Sequence, residues 1–307
     1  MVTNEDNYIR FDWAMKRLLR NKANYVVLEG FLSSLLGKKF KIHRFLESES
    51  NQEDEDDKYN RVDILAESEN EQLCIIEVQN SREQTYFHRM LYGVSKAITE
   101  YIGLGKPYEA VRKVYSINIV YFELGQGKDY VYHGKTEFVG EHEPHDTLKL
   151  SIRQNEKFFG IKDDKLELRK SPGDLFPEYY ILRVNDFDKV ATTPLDEWIE
   201  FLKTGSISSK ATAAGLPEAR ERLRVDSLSQ KDKQAYYRHL EAVRHMKSLF
   251  DTSRDEGYQD GLTEGRAEGK KEKTKEIALK LLALNTPIDI ISQSTGLSIE
   301  EIKKLNS

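Results

Sequence analysis

Apolar residues recur along this chain with two different periods, and the changes of period mark out its elements. Between residues 11 and 36, Trp13, Leu18, Leu19, Val26, Val27, Leu28, Phe31, Leu32, Leu35 and Leu36 suit a 3.6-residue spacing. That spacing predicts two helices, with Gly37 as a C-cap. The segment KFKIHRFLES alternates and reads as a strand. Residues 61–66 (RVDILA) and 72–79 (QLCIIEVQ) predict two further strands joined by the turn-like SENE. The helical period returns over 82–104, stopped by Gly103 or Gly105 and then Pro107. Residues 114–124 are rich in β-branched and aromatic side chains and predict a buried strand. YVYHGKTEFVGE, DTLKLSIRQ and EYYILRVNDF (178–187) read as more strands. An α-β-β-α-β order followed by strands predicts a mixed sheet with helices on its faces.

Beyond residue 190 the pattern becomes helical. TTPLDEWIEFLKTG offers Thr193 as N-cap, Pro194 at the first helical position and Gly205 after the end. Residues 206–217 read as a linker, and a long charged helix covers 229–253. Gly257, Gly261, Gly265 and Gly269 then recur every fourth residue, which suggests a self-association or hinge segment. The last stretch predicts short helices, with Thr286 capping one that has Pro287 at its first position and ends at Gly296. Ser298 and Glu301 form a capping box flanked by Leu297 and Ile302. The expected organisation is a mixed α/β domain over 1–205, a linker and charged helix over 206–256, and an all-α tail over 257–307.

Composition narrows the function classes. The 307 residues carry a formal net charge of -5, so any nucleic-acid surface must be a local patch. The single cysteine, Cys74, excludes an intrachain disulfide framework and a cysteine zinc site. No stretch approaches the roughly 18 apolar residues of a spanning helix, and the N-terminus lacks a signal-peptide pattern. A cytoplasmic protein with no membrane partner is the expectation. Glu47–Asp57 holds seven acids in eleven positions, which reads as a solvated loop.

The informative chemistry lies in RVDIL followed by IIEVQ. Alternation puts Glu77 and Gln79 on one face of their strand, with Val78 opposite. Pairing through the SENE turn would let Asp63 approach Glu77, so that two carboxylates and the Val78 carbonyl converge. Such hard oxygen ligands suit Mg²⁺ together with waters and a phosphate. Glu77 also ends the uncharged run Leu73, Cys74, Ile75, Ile76, where an ionised group is costly unless paired or metal-bound. On the following helix, Arg89, Tyr92 and Lys96 are spaced to share one side and to meet a phosphate backbone. Lys16 and Arg17, with Arg20 and Lys22, or Lys38, Lys39, Lys41 and Arg44, are further candidate phosphate contacts, and none of these groups reads base edges.

Over roughly residues 8–205 the chain resembles the recombination-promoting nuclease and transposase family of the PD-(D/E)XK superfamily. The likeness is carried in order by FDWAMKRLL, VLEGFLSSLL, RVDIL, IIEVQ, HRMLYGVSKAITEYIGLGKPY, VYSINIVYF and DEWIEFL. It implies a restriction-endonuclease-like α/β core, a mixed sheet flanked by helices, to which the all-α C-terminal extension is appended. It also implies metal-dependent DNA endonuclease activity associated with recombination or mobile elements. The implied cofactor is Mg²⁺ or another divalent cation such as Mn²⁺ or Ca²⁺. Asp63 and Glu77 become metal ligands, and Gln79 takes the third active-site position, where most such sites carry lysine. Glu29 corresponds to a first-helix acid that binds metal through water. The competing expectation is a catalytically inactive DNA-binding or assembly protein. The helical tail is a candidate surface for a homo-oligomer.

Overall fold

The computed structural model describes residues 8–46, 63–102, 107–161 and 170–305, apart from the Lys16 side chain. The acidic run 47–58, Arg61 and Val62 at the start of the expected second strand, and Gly103 and Gly105 lie outside the described residues. The chain divides into two compact units, Met1–Glu241 and Ala242–Ser307.

In the first unit, α1 (Phe11–Arg17) and α2 (Tyr25–Leu36) are the two expected N-terminal helices, and Gly37 closes α2 in the left-handed conformation. The strands are β1 (Ile42–Leu46), β2 (Ile64–Ser68), β3 (Leu73–Gln79), β4 (Val114–Val120), β5 (Val131–Gly134) and β6 (Glu178–Arg183). They form a six-stranded sheet in the order β1-β2-β3-β4-β6-β5. The β1–β2, β2–β3 and β5–β6 pairs are antiparallel, whereas β3–β4 and β4–β6 are parallel. Between β3 and β4 the chain passes through α3 (Tyr86–Ile102). The mixed α/β core expected from the residue pattern is therefore the observed one.

The two faces of the sheet bury different sets. Cys74, Ile76 and Val78 of β3, with Tyr115, Ile117 and Ile119 of β4, join the large cluster that includes Phe11, Phe31 and Trp198. Leu73, Ile75 and Val114 face the other way, against Val94 and Ala97 of α3. Val120 meets Tyr86 and Met90 in a third cluster near the other end of the same face. Between these two apolar clusters the strand alternation places Glu77, Ser116 and Asn118, the polar part of the α3 side.

Two expectations about the second half of this unit are revised. DTLKLSIRQ contributes a single bridge, Val139 to Thr147, and then turns into α4 (Ile152–Phe159). Ser151 and Gln154 make a reciprocal capping box that starts the helix, and Gly160 ends it. Residues 206–217, expected as a linker, bury Ile207, Ala211, Ala213 and Leu216 in the main core. The physical reason is a glycine contact. A Cβ on Gly30 of α2 would lie 2.1 Å from the Ala214 carbonyl oxygen, and one on Gly215, itself at φ +84°, would lie 2.8 Å from the Val27 carbonyl oxygen and 3.0 Å from the Gly30 Cα. Side-chain-free positions on both partners let this backbone lie directly on the helix. The following α6 (Leu216–Arg222) packs there too, after α5 (Pro194–Thr204) with its Thr193–Asp196 capping box.

Helix α7 (Gln230–Ala283) runs unbroken through all four glycines, so they form no linker, and a Cβ added at any of them would meet nothing within 4 Å. In the second unit α8 (Ile288–Thr295) and α9 (Ile299–Leu305) bury Ile291 and Ile302 against Ala278. Pro287, rather than Thr286, occupies the N-cap of α8. The Ser298–Glu301 capping box is present. Among the described residues no helix is long and apolar enough to cross a membrane.

Candidate active site

The pairing of β2 with β3 runs Ile64 to Ile76, Leu65 to Ile75 and Ala66 to Cys74. Asp63 stands one residue before this ladder, at the level of Glu77, and its charge acts on the Glu77 carboxyl. The Asp63 carboxylate turns towards the strand, where its Oδ2 accepts from the Val78 N–H at 2.8 Å. A residue's N–H and C=O point to the same side of an extended strand, so the Val78 carbonyl also faces the Asp63 side, beyond the first paired residue of β2. Gln79 follows on the Glu77 face and donates from Nε2 to Ser81 Oγ at 3.3 Å. Asp63, Glu77, Val78 and Gln79 are thus brought together at one end of the β2–β3 pair.

Glu77 is only 6 % exposed. Burial, aided by the charge of Asp63 and opposed by Arg89, raises its pKa from the ordinary 4.5 to about 7. Its Oε2 lies 3.4 Å from the Tyr86 hydroxyl and 3.6 Å from Arg89 Nε. Tyr86 is fully buried and also reaches Asn118 Oδ1 at 3.1 Å, the residue beside Glu77 on β4. Asn118 Nδ2 in turn donates to Ser116 Oγ at 3.0 Å and to the Tyr180 carbonyl.

This donor set fits a small divalent cation. The Glu77 carboxylate is buried, and the nearest described guanidinium, Arg89, stands 3.6 Å from it, beyond hydrogen-bonding range. Among the described residues no group of three or more His, Cys, Asp and Glu side chains is arranged to hold a metal. Two carboxylates, a main-chain carbonyl and coordinated waters are nevertheless the kind of shell Mg²⁺ accepts.

The other expected site residues separate. Glu29 is buried on α2, where its Oε1 accepts from the Ile42 N–H at 3.0 Å and its Oε2 takes Lys41. Both oxygens are therefore engaged in holding the start of β1. Arg89 lies beside Glu77 and Glu83. Tyr92 is exposed on the same flank of α3, and Lys96 pairs with Glu100 at 3.7 Å. Arg17 is exposed and rests over the Trp13 ring, while the Lys16 side chain lies outside the described residues. Arg20 donates to the Asp63 carbonyl at 2.6 Å, which brings its guanidinium beside that residue. Lys38 is taken by Tyr115, and Arg44 by Glu67.

Several neighbours of the site escaped the sequence reading. Tyr86, Asn118 and Glu83 were not singled out, although an asparagine inside the apolar run VYSINIV was a visible signal of a buried polar partner. Another buried acid, Asp12, pairs with Arg10 at 3.2 Å, His239 of α7 at 3.0 Å and Asn80 at 3.1 Å. Burial opposes its ionisation, but His239, Arg10 and Asn80 together hold it well below the usual carboxylate range. Asn80 immediately follows Gln79, so this cluster secures the outgoing end of β3. Its members lie too far apart in the chain for any motif to join them.

A family model described as PD-(D/E)XK nuclease family transposase matches residues 9–158, a stretch that includes Asp63, Glu77 and Gln79. No curated protein and no solved structure matches the chain.

Proposed function

Residues 9–158 belong to the PD-(D/E)XK nuclease family of transposases, and from that premise we propose that the chain is a divalent-metal-dependent DNA endonuclease. The observation that carries this reading is that Asp63, one residue before β2, accepts from the Val78 N–H at 2.8 Å and so lies beside Glu77, which is buried and has its pKa raised to about 7. Asp63, Glu77 and the Val78 carbonyl would hold the cation. When bound, such an ion lowers the pKa of a water and neutralises charge on the scissile phosphate. Glu77 would hold the cation in its deprotonated form. The Asp63 carboxylate is oriented by the Val78 N–H. Gln79 cannot carry charge or act as a base, and its amide instead orients a water or a phosphate oxygen by hydrogen bonding. Positive charge comes from outside the strand signature, from Arg89 and from Arg20 with Arg17, Tyr92 and Lys96 extending the phosphate contacts along α1 and α3. Such contacts confer affinity without sequence preference. Cleavage of both strands at one locus needs two such sites, which a second copy joined through the C-terminal helices would supply in a recombination setting.

The test is cleavage of supercoiled plasmid by the full chain with Mg²⁺, Mn²⁺ or chelator. Cation-dependent nicking that disappears in Asp63→Ala is the expected result. DNA binding without cleavage in any of these cations would overturn the enzymatic reading and leave an assembly protein.

A further inference from the structure

Arg89 stands between two carboxylates and is bonded unequally to them. One terminal nitrogen donates to Glu83 Oε2 at 3.1 Å. Its Nε is 3.6 Å from Glu77 Oε2, a Coulombic contact beyond hydrogen-bonding range. That Nε is buried and makes no hydrogen bond to any described residue. Glu83 lies in the turn between β3 and α3, where Thr85 Oγ1 donates to its other oxygen at 3.4 Å. The guanidinium is therefore anchored by Glu83 and only leans on Glu77.

We propose that Arg89 is a displaceable counter-ion: it neutralises Glu77 until a divalent cation takes that carboxylate, and Glu83 then retains it as a phosphate-facing charge. The proposal rests on the reading that Asp63 and Glu77 bind a divalent cation. An arginine beside a metal ligand has two opposed effects. It stabilises the empty carboxylate pair, and it repels the arriving ion. Glu83 resolves the conflict by giving the guanidinium a second carboxylate within reach, so the arginine can leave Glu77 without leaving the site. Its planar fork of donors then suits a phosphate better than an ammonium would. Glu83 is thus a positioning residue for Arg89, and Arg89 stands in for the lysine that position 79 lacks.

The sign of the effect on cation binding separates this from a scaffolding role. Titration of Mg²⁺ into the metal-free full chain by calorimetry at pH 9, where Glu77 is ionised, reads it without any turnover. Removing a like charge a few ångströms from an ion changes its affinity by about tenfold or more. Arg89→Ala is expected to bind Mg²⁺ about tenfold more tightly, while Arg89→Lys stays near the parent chain. Glu83→Gln is expected to bind several-fold more weakly, because the arginine then rests on Glu77 alone. Affinity for a short DNA duplex in Ca²⁺ is expected to fall in Arg89→Ala despite the tighter cation. Unchanged or weaker Mg²⁺ binding in Arg89→Ala would overturn the proposal, since an arginine that merely braces Glu77 weakens the site when removed. Should Arg89→Ala not fold, unchanged or tighter binding in Glu83→Gln overturns it equally. A parent chain that binds no Mg²⁺, or binds it equally well as Asp63→Asn, would instead refute the cation site itself.

Discussion

Glu77→Gln should make the protein more stable, by an amount that grows as pH rises from about 4.5 to about 7 and is complete above neutrality. The carboxyl is 6 % exposed, and burial raises its pKa from the ordinary 4.5 to about 7. In the unfolded chain it ionises near the ordinary value. Between those two values the native state holds a proton that the unfolded state has lost, so stability falls as pH rises across that window. Below the window both states are protonated and the residue contributes no penalty. Above it the full cost of burying the charge is present. At about 1.4 kcal/mol per tenfold change in proton affinity, that cost is about 3 kcal/mol. Glutamine keeps the shape and cannot ionise. In chelator, the variant should match the parent at pH 4.5 and exceed it by about 3 kcal/mol at pH 8, a difference of roughly 6–12 °C in melting temperature for a unit of this size. The assay is chemical and thermal unfolding of both chains from pH 4.5 to 8.5. Saturating Mg²⁺ at pH 8 should raise the parent's melting temperature and leave the variant's unchanged, because ligand binding stabilises only a chain that binds it. Parallel pH profiles, or a variant less stable at pH 8, would refute the placement of an ill-compensated carboxyl at this position.

Other substitutions test other parts of the account. Asp12→Ala leaves Arg10, His239 and Asn80 without their shared acceptor and should cost about 3 kcal/mol in denaturant unfolding, near the low end for breaking a buried pair because Arg10 and His239 keep some solvent; a loss below about 1 kcal/mol would contradict it. Gly30→Ala would press a Cβ against backbone atoms of Ala214 and Gly215, which no rotamer change relieves, and should destabilise by about 1–3 kcal/mol. An unchanged melting temperature there would mean that residues 211–216 do not pack on α2 as described. Arg17→Ala and Lys96→Ala should each weaken duplex binding and flatten its dependence on salt by about one phosphate contact, measured by fluorescence anisotropy at several ionic strengths; an unaltered slope would remove that residue from the interface.

The sheet and its signature were legible because strand alternation is a short-range property. RVDIL and IIEVQ each declare which residues share a face, and a short turn leaves them one register that keeps both faces buried. Alternation alone puts Glu77 and Gln79 on one face, and pairing through the SENE turn lets Asp63 approach Glu77. What the sequence hid is non-local. Glu29 has an acid's identity at a plausible helical position, yet its partners Ile42 and Lys41 lie on a strand whose distance from the helix no periodicity reveals. Residues 206–217 have the small, polar composition of a linker. They become core because Gly30, almost two hundred residues earlier, leaves room for their backbone. DTLKLSIRQ alternates as a strand should, but the Ser151–Gln154 capping box within it redirects the chain into α4. The four glycines of α7 cost roughly 1 kcal/mol each relative to alanine, and the helix nonetheless continues through them. Propagating an existing helix is far easier than starting one.

The claim on which everything else depends is that Asp63 and Glu77 form one cation site in which Glu77 surrenders a proton. Calorimetric titration of Mg²⁺ into the metal-free chain, repeated in buffers of different ionisation enthalpy, counts that proton directly. With Glu77 near pH 7, binding should release about 0.8 proton at pH 6.5 and about 0.1 at pH 8, and both binding and release should vanish in Asp63→Asn. Cation binding that releases no proton at pH 6.5, or that survives loss of Asp63, would contradict it.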